Sequence, residues 1–239
     1  MLKNIFQLPD ERVRVIHSGA NTLGINASSG VIKEKDDYIL YIGRINEMKN
    51  LIALLRAFSI IHKKINHNLL IISDDKSALD REIKASNIDK YVVKKIIFKK
   101  NLTDKEKYCV MKKAAMLVFP SLYEGFGLPP IEAMACGCPV IVSNTSSIPE
   151  VCGDAAIYID PYNHNSIADG IIELIENRKL RERLIDLGLV RACEFNWELS
   201  AREHLRVFEN VLAHGNLPVE TGCNLIPVLK NTSHSGLIR

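Results

Sequence analysis

This sequence contains no long apolar run, no signal-peptide pattern in its first residues and no strong charge imbalance. No apolar stretch approaches the roughly 18 residues that a membrane-spanning helix needs. The first nine residues contain no signal-peptide core or cleavage site. The formal net charge of +3 is small for 239 residues, which argues against a strongly basic nucleic-acid-binding protein. We therefore expect a cytoplasmic protein whose partners do not include nucleic acid.

Recognisable metal and dinucleotide motifs are also absent. The six cysteines form no C-x-x-C pair and show no spacing typical of a zinc site, so we interpret them as small buried hydrophobes in a reducing compartment. No strand leads into G-x-G-x-x-G and no P-loop pattern is present, which argues against a nicotinamide-dependent dehydrogenase. The cysteines are Cys109, Cys136, Cys138, Cys152, Cys193 and Cys223.

What the sequence does contain is enough apolar material for a core, with 47% hydrophobic and 25% charged residues. Short apolar runs alternate with segments of helical period, the pattern of a parallel sheet covered on both faces. We predict an α/β fold with a doubly wound, Rossmann-like sheet within a domain of residues 1–213. The predicted strands are Val13–Ile16, Tyr38–Ile42, Asn68–Ile72, Val92–Phe98, Met116–Phe119, Val140–Ser143 and Ala155–Ile159.

Helices are predicted between these strands. After the last strand, only helices are predicted. A period near 3.6 indicates a helix from about Asn50 to Ile65, and Ser166 with Asp169 resembles a capping box. We predict a surface loop over Asn21–Asp36 and a flexible tail over residues 214–239. The other predicted helices are about Ser77–Ser86, about Asp104–Lys113, one beginning near Pro129, and three that contain Ile167–Ile175, Leu180–Leu187 and Trp197–Leu212.

The loops that follow the strands are where a site is expected, because ligands bind beyond the carboxyl ends of parallel strands. The first such loop runs from Gly43 to Asn50. Its glycine permits a sharp turn, and Arg44 and Lys49 flank a helix entrance, where free N–H groups already favour anions. The forked guanidinium of Arg44 and the compact ammonium of Lys49 predict a site for a diphosphate. The alternative is that both residues are solvated cations on the surface.

The second loop, Pro120–Glu132, follows a buried strand and carries a glycine-rich turn into a helix. It contains two carboxylates, Glu124 in the loop and Glu132 in the opening turn of the helix. Glycines let backbone N–H groups approach a ligand, and a carboxylate accepts two hydrogen bonds from neighbouring hydroxyls, which suits a sugar or a ribose. The alternative is that neither residue binds a ligand. Glu132 would then be an acid that the helix dipole stabilises, and Glu124 would be a solvated carboxylate in a loop.

The segment Phe119–Ile141 resembles the E-x7-E signature of retaining GT-B glycosyltransferases, the glycogen-synthase-like and mannosyltransferase-like group. Gly43-Arg44 with Lys49-Asn50 is similar to the group's G-R-x-x-x-x-K-N element. The resemblance extends over about Arg12 to Leu212, and it implies the C-terminal, donor-binding half of a GT-B fold with a helical C-terminal segment. Further matching segments are Ser146–Val151, Asp160-Pro161 and Phe195–Trp197.

This resemblance implies a site for a nucleoside-diphosphate sugar, GDP-mannose or a UDP-sugar, with no cofactor and no metal. Arg44 and Lys49 would neutralise the diphosphate and the charge that grows on it during transfer. Glu124 would contact the donor sugar, and Glu132 would hold the ribose hydroxyls. Asp74-Asp75 lacks the spacing of a D-x-D metal motif. The residues expected to meet the sugar or phosphates through their backbone are Gly43, Gly125, Phe126, Gly127 and Leu128.

Two turns and the N-terminus depart from the group's pattern. Lys99-Lys100-Asn101 stand where a glycine usually lets the backbone pass the nucleotide base, and Ser73-Asp74 replace a glycine-containing turn. Both departures leave base recognition open. The chain starts roughly where the second GT-B domain starts, so we expect the acceptor-binding domain to be absent. His17 either lines the cleft or is structural.

The sequence is therefore compatible with two functions. One is a retaining hexosyltransferase that acts on a sugar or lipid-linked acceptor and is inactive unless an N-terminal domain or partner chain supplies the acceptor site. The other is a non-catalytic nucleotide-sugar-binding or protein-interaction remnant. The cationic segments Arg56–Lys64 and Lys94–Lys100 either touch an anionic lipid surface, as a peripheral membrane protein would, or are solvated faces.

Overall fold

The computed structural model describes residues 13–20 and 36–213. The chain forms two compact units. One is Ile16–Ser200, which contains the sheet, and the other is Met1–Val15 together with Ala201–Arg239. Within the second unit, Arg14 donates to the carboxylate of Glu203 at 2.8 Å.

Six parallel strands form the sheet. They are β1 (Tyr38–Ile42), β2 (Asn68–Ile72), β3 (Ile96–Lys99), β4 (Met116–Phe119), β5 (Val140–Ser143) and β6 (Ala156–Ile159). The strand order is β3-β2-β1-β4-β5-β6. The direction of winding reverses between β1 and β4, and such a reversal opens a crevice at the carboxyl ends of the two strands.

Helices connect the strands and continue the chain after β6. They are α1 (Leu51–Ile61), α2 (Lys76–Ser86), α3 (Lys90–Val93), α4 (Asp104–Lys113), α5 (Leu128–Ala135), α6 (Ile148–Cys152), α7 (His164–Glu176), α8 (Arg178–Cys193) and α9 (Trp197–Ala213). Two 3-10 turns occupy Glu47–Lys49 and Gly153–Ala155. No helix among residues 13–20 and 36–213 is long and apolar enough to cross a membrane.

The core consists of two apolar layers, one on each face of the sheet. Side chains alternate along a strand, so Ile39 and Tyr41 of β1 face the layer that includes α1 and α7, whereas Leu40 faces the layer that includes α5. β1 lies at the centre of the sheet, and all three of these side chains are at most 1% exposed. This explains why its sequence is apolar throughout, as expected for a doubly covered parallel strand.

The central strands and several helices confirm the sequence predictions. β1, β2, β4 and β5 have the predicted bounds, and α4 spans Asp104–Lys113 as expected. The start of α4 is fixed by a capping box in which the hydroxyl of Thr103 accepts from the amide of Glu106 and the Glu106 carboxylate accepts from the amide of Thr103. Short continuous apolar runs predicted these strands correctly, and local capping explains where α4 begins.

The predicted strand Val13–Ile16 is wrong. The segment has no regular secondary structure, and the side chain of Val15 is 67% exposed. A β-strand requires a hydrogen-bonded neighbour, and the described part of the chain provides none for these residues. The alternation of apolar and polar residues in Val-Arg-Val-Ile was thus a misleading signal.

The predicted strand Val92–Phe98 is also wrong in its first half. Asp89 accepts a hydrogen bond from the amide of Tyr91 at 2.8 Å, which starts the short helix α3. The strand begins only at Ile96. An N-capping aspartate outweighed the β-propensity of the two valines, since a cap satisfies a backbone donor directly.

The N-terminal end of α7 and the C-terminal end of α1 differ from prediction as well. The predicted capping box of Ser166 and Asp169 is absent because α7 is capped by Asn163 instead, which accepts from the amide of Asn165 at 3.0 Å. Ser166 therefore lies inside the first turn, where its hydroxyl accepts from the amide of Asp160. Helix α1 ends at Ile61, four residues before the predicted end.

The cysteine prediction is right for three residues and wrong for two. Cys136, Cys138 and Cys152 are buried and free, and burial raises the pKa of the Cys152 thiol to about 12. Cys109 and Cys193 are free but exposed, because α4 and α8 turn these positions towards solvent. Cys223, the predicted loop up to residue 35 and the predicted tail 214–239 lie outside the described residues.

Candidate functional site

Two loops meet where the strand order reverses, because β1 and β4 are neighbours in the sheet. The first loop, residues 43–50, leaves β1, and the second, residues 120–127, leaves β4. The amide of Leu122 donates to the carbonyl of Met48 at 2.8 Å. The cations predicted in one loop and the carboxylate predicted in the other therefore lie on directly linked backbone segments.

The first loop is fixed by its own side chains. The buried hydroxyl of Tyr41 donates to the carbonyl of Arg44 at 3.1 Å, and burial raises the pKa of Tyr41 above its usual range. Asn46 then caps the 3-10 turn Glu47–Lys49 by accepting from the amide of Lys49 at 3.0 Å. This turn determines the point from which the Lys49 side chain extends.

Asn50 ties three strand-end loops together. Its side-chain amide donates to the carbonyl of Pro120 at 3.0 Å and to the carbonyl of Pro161 at 2.8 Å. The residue is 8% exposed and has a left-handed φ of 54°, a conformation that asparagine tolerates better than most residues. The G-R-x-x-x-x-K-N element includes Asn50. The role of Asn50, however, depends on the carbonyls of Pro120 and Pro161, which are distant in the sequence.

Lys49 and Glu124 form an ion pair in the crevice. The ammonium nitrogen lies 2.5 Å from the Glu124 carboxylate and 5.4 Å from the centre of the Phe119 ring. The Lys49 and Glu124 side chains are 23% and 11% exposed. A charge pair with this little solvent is screened weakly, so either charge can interact strongly with a charged ligand that lies beside it.

Two serines hold the backbone on either side of Glu124. The amide of Glu124 donates to the hydroxyl of Ser146 at 2.9 Å. The hydroxyl of Ser147 lies 2.9 Å from the carbonyl of Glu124 and 3.1 Å from that of Phe126, and its single proton is shared between these two acceptors. Both serines belong to the loop after β5, so a third loop of the same sheet edge supports the carboxylate. The only indication of this loop in the sequence was that Ser146–Val151 matches the family pattern.

Glu132 has a different partner, Lys107 of α4, which sequence reasoning did not identify. The Lys107 ammonium lies 3.3 Å and 3.4 Å from the two carboxylate oxygens. The Glu132 side chain is only 13% exposed, and this burial raises the pKa of its carboxyl although Lys107 acts in the opposite direction. Nothing in the spacing of Lys107 distinguished it from the other lysines of α4.

The glycine turn between the two carboxylates leads into α5. Gly127 has φ 102° and is the N-cap of α5, whereas a Cβ on Gly125 would meet nothing within 4 Å. Leu128 begins the helix and is 38% exposed. The ring of Phe126 packs edge-on against Phe195, with centroids 5.5 Å apart. The turn therefore has an open side at Gly125 and an anchored side at Phe126 and Gly127.

His17 lies beside this turn. Its ring centroid is 6.1 Å from that of Phe126 and 5.6 Å from that of Phe195. Its Nε2 lies 2.9 Å from the carboxylate of Glu150, and the two side chains are 45% and 64% exposed. The structure thus gives His17 a packing and hydrogen-bonding role next to the glycine turn.

Replacing Gly127 with alanine is expected to destabilise the fold by about 1–3 kcal/mol, because φ 102° is strained for any residue with a Cβ. The new Cβ would also stand 2.6 Å from Cδ1 of Ile148. Gly125→Ala is the matched control and is expected to change stability by less than about 1 kcal/mol. Urea denaturation of the two variants measures this, and equal midpoints would contradict it.

Arg44 and Lys99 are both exposed. Among the residues that the structure describes, no ion pair involves the Arg44 guanidinium. Lys99 is the last residue of β3, and Asn101 two residues later adopts φ 55°, the kind of conformation for which glycine is the usual residue. Asn101 thus provides a left-handed turn soon after β3 without a glycine.

The Rossmann-like sheet, with two charged loops joined at its switch point, has the fold of one half of the GT-B type, and solved structures share this fold. A glycosyltransferase from Rickettsia africae aligns with a TM-score of 0.75 at 18% identity, over 88% of this chain and 60% of that chain. A sucrose-phosphate synthase from Thermosynechococcus elongatus aligns with a TM-score of 0.72 at 23% identity, over 84% and 53%.

Residues 25–188 match the family model of glycosyl transferases group 1, and the chain belongs to that family. It is similar to the O-antigen chain mannosyltransferase B of Escherichia coli, with 30% identity over 72% of this chain and 45% of the relative. It is also similar to the O-antigen chain mannosyltransferase RfbU of Salmonella typhimurium, with 30% identity over 67% of this chain and 44% of the relative. The chain thus spans less than half the length of these two curated relatives.

Proposed function

We propose that this chain binds a nucleoside-diphosphate sugar in the crevice between β1 and β4, as the C-terminal donor half of a retaining GT-B hexosyltransferase. The observation that carries the proposal is the weakly solvated Lys49–Glu124 pair, at 2.5 Å, between two hydrogen-bonded loops at the switch point of the sheet. A lysine held in this way can contact a phosphate on one side while its carboxylate partner faces the sugar.

The chemistry that these side chains can perform is electrostatic. Lys49 and the exposed Arg44 would neutralise the diphosphate and the negative charge that grows on it as the glycosidic bond breaks. Glu124 would favour positive charge at the anomeric carbon. Glu132 would accept hydrogen bonds from the ribose hydroxyls. The backbone of Gly125 is open on the side where a Cβ would otherwise stand, so it can approach the ligand closely.

The donor and the acceptor follow from the relatives rather than from the site. Two curated relatives are mannosyltransferases of O-antigen chains, which favours a mannosyl donor; GDP-mannose and a UDP-sugar are the two donors to test. The acceptor would be a sugar or a lipid-linked sugar. We propose that it is held by a separate domain or partner chain, because the curated relatives are more than twice as long as the region that they share with this chain.

Calorimetry with GDP, UDP and the corresponding nucleotide sugars tests the donor site. We expect one nucleoside diphosphate to bind, and we expect Glu124→Gln to lower the affinity for its sugar-bearing form by about tenfold, the effect of losing one hydrogen bond to a charged group. The same variant should bind the nucleoside diphosphate at least as well as the parent, because a negative charge has been removed. Glu47→Gln, in the neighbouring turn, is the control.

A folded protein that binds none of these nucleotides would refute the donor site. Binding without transfer, when acceptor and candidate partner chains are supplied, would instead favour the non-catalytic remnant. These two results are distinct, because the first concerns the pocket and the second concerns the reaction.

A further inference from the structure

Lys107 lies next to a carboxylate on a neighbouring helix. It occupies the first turn of α4, where its amide donates to the carbonyl of Thr103 at 2.9 Å, and the Thr103–Glu106 capping box fixes that turn. Its ammonium is nearly equidistant from the two carboxylate oxygens of Glu132, at 3.3 Å and 3.4 Å. A rigid helix start thus presents one cation to both oxygens of a single acid on α5.

Because Glu132 is largely buried, the Lys107 ammonium has a strong effect on the charge state of its carboxyl. The Glu132 and Lys107 side chains are 13% and 23% exposed, so neither charge is well hydrated. Burial raises the pKa of the Glu132 carboxyl, and Lys107 lowers it. Two further titratable groups lie near the pair. Asp104 is 3.6 Å from the Lys107 ammonium and largely exposed. The ring centre of Tyr108 is 5.6 Å from the same ammonium, and burial is the main cause that raises the pKa of Tyr108 to about 12.

The protonation state of Glu132 determines what it can recognise. An ionised carboxylate accepts hydrogen bonds on both oxygens, as two adjacent ribose hydroxyls require, whereas the neutral acid uses one oxygen as a donor. A buried carboxyl without a counter-ion tends to protonate. Lys107 opposes that tendency and also restrains the rotation of the carboxylate.

We propose that Lys107 is a positioning residue for the ribose site, which keeps Glu132 ionised and oriented to receive two ribose hydroxyls. This inference rests on the donor site proposed above. It assigns to Lys107 an effect on ribose recognition that acts through Glu132, without a contact between Lys107 and the nucleotide.

The consequence is a specific pH dependence. Protonation of Glu132 removes ribose binding, so affinity falls as the pH drops through the pKa of this carboxyl. Because burial already raises that pKa, the fall begins at a higher pH than for an ordinary glutamate. In Lys107→Met, the opposing charge is gone, and the fall should begin about one pH unit higher still. Lys107→Arg should restore the parent behaviour, and Lys105→Met, an exposed lysine of the same helix, should match the parent.

Two measurements separate this inference from the donor site itself. Carbon-13 NMR of the side-chain carboxyls, assigned with Glu132→Gln, gives the pKa of Glu132 without any ligand. Calorimetry then compares the nucleoside diphosphate with its 2′,3′-dideoxy form across about pH 4 to 8, a range that extends from the ordinary glutamate pKa of about 4.3 upwards. We expect the extra pH dependence of Lys107→Met for the ribonucleotide and none for the dideoxynucleotide.

An unchanged Glu132 pKa in Lys107→Met would overturn the inference. So would equal losses of affinity for the two nucleotides, since Lys107 would then act on the phosphates or on the fold, while the donor site would stand. If no nucleotide binds the parent protein but the pKa of Glu132 still moves, the donor site fails and the ribose role fails with it, although the coupling between the two side chains is real.

Discussion

Replacing Lys49 with methionine is expected to lower the affinity for a nucleoside diphosphate by about 10- to 100-fold, because a hydrogen bond to a charged group contributes about 1.5–3 kcal/mol. Methionine keeps an unbranched side chain out to Cε but loses the cation–π contact that the ammonium makes with the Phe119 ring. It removes the ammonium that lies 2.5 Å from the Glu124 carboxylate. The loss is enlarged because Glu124, 11% exposed, then presents an uncompensated negative charge to the diphosphate.

The double variant Lys49→Met/Glu124→Gln separates these two contributions. It should recover part of the affinity for the nucleoside diphosphate, since the unpaired carboxylate is gone. The parent, Lys49→Met, Glu124→Gln and the double variant together measure the coupling. Lys63→Met, an exposed lysine after α1, is the control and should bind as the parent does. Calorimetry at fixed ionic strength measures all five proteins. Parent-like affinity in Lys49→Met would place the phosphates elsewhere.

Replacing Asn50 with alanine is expected to destabilise the protein by about 3–5 kcal/mol, the largest stability effect that we predict. Two hydrogen bonds disappear, and the carbonyls of Pro120 and Pro161 lose their buried donor, each at a cost of about 1–3 kcal/mol. Alanine also disfavours the left-handed φ of 54° by about 1 kcal/mol. Because Asn50 joins three loops of one sheet edge, the loss should also reduce nucleotide binding.

Asn87 offers a matched control. It caps the end of α2 with φ 52° and is exposed, so Asn87→Ala measures the cost of the left-handed conformation alone, about 1 kcal/mol. Asn50→Gly keeps the backbone conformation and removes only the hydrogen bonds. Urea denaturation should rank the variants with Asn50→Ala the least stable, Asn50→Gly intermediate and Asn87→Ala the closest to the parent. Equal midpoints for Asn50→Ala and Asn87→Ala would show that the two hydrogen bonds contribute nothing.

Local patterns were reliable where a segment decides its own structure. The apolar runs of β1, β2, β4 and β5 and the capped α4 have the predicted bounds, since burial on both faces of a sheet and a capping box are properties of a few consecutive residues. The same reasoning failed at Val13–Ile16, because a strand needs a neighbour that no local pattern supplies. It failed at Val92 as well, where Asp89 caps a helical turn that the apolar run concealed.

At the candidate site, too, the sequence identified some features and only the structure showed the others. The E-x7-E segment and the Gly43–Asn50 element identified Glu124, Glu132, Arg44 and Lys49 as candidates. Which of them interact was not predictable from the sequence. The structure pairs Glu124 with Lys49 and Glu132 with Lys107, and it leaves Arg44 exposed.

The sequence by itself therefore determined the family, the parallel α/β fold and the two loops that bear charge, because each depends on short runs of residues and their spacing. Only the tertiary structure decided the pairing of charges and the junction at Asn50. Those contacts join residues from 25 to 111 positions apart, and they depend on the strand order that places β1 next to β4. Their strength, moreover, comes from the exclusion of water, which exists only once the strand-end loops have packed together.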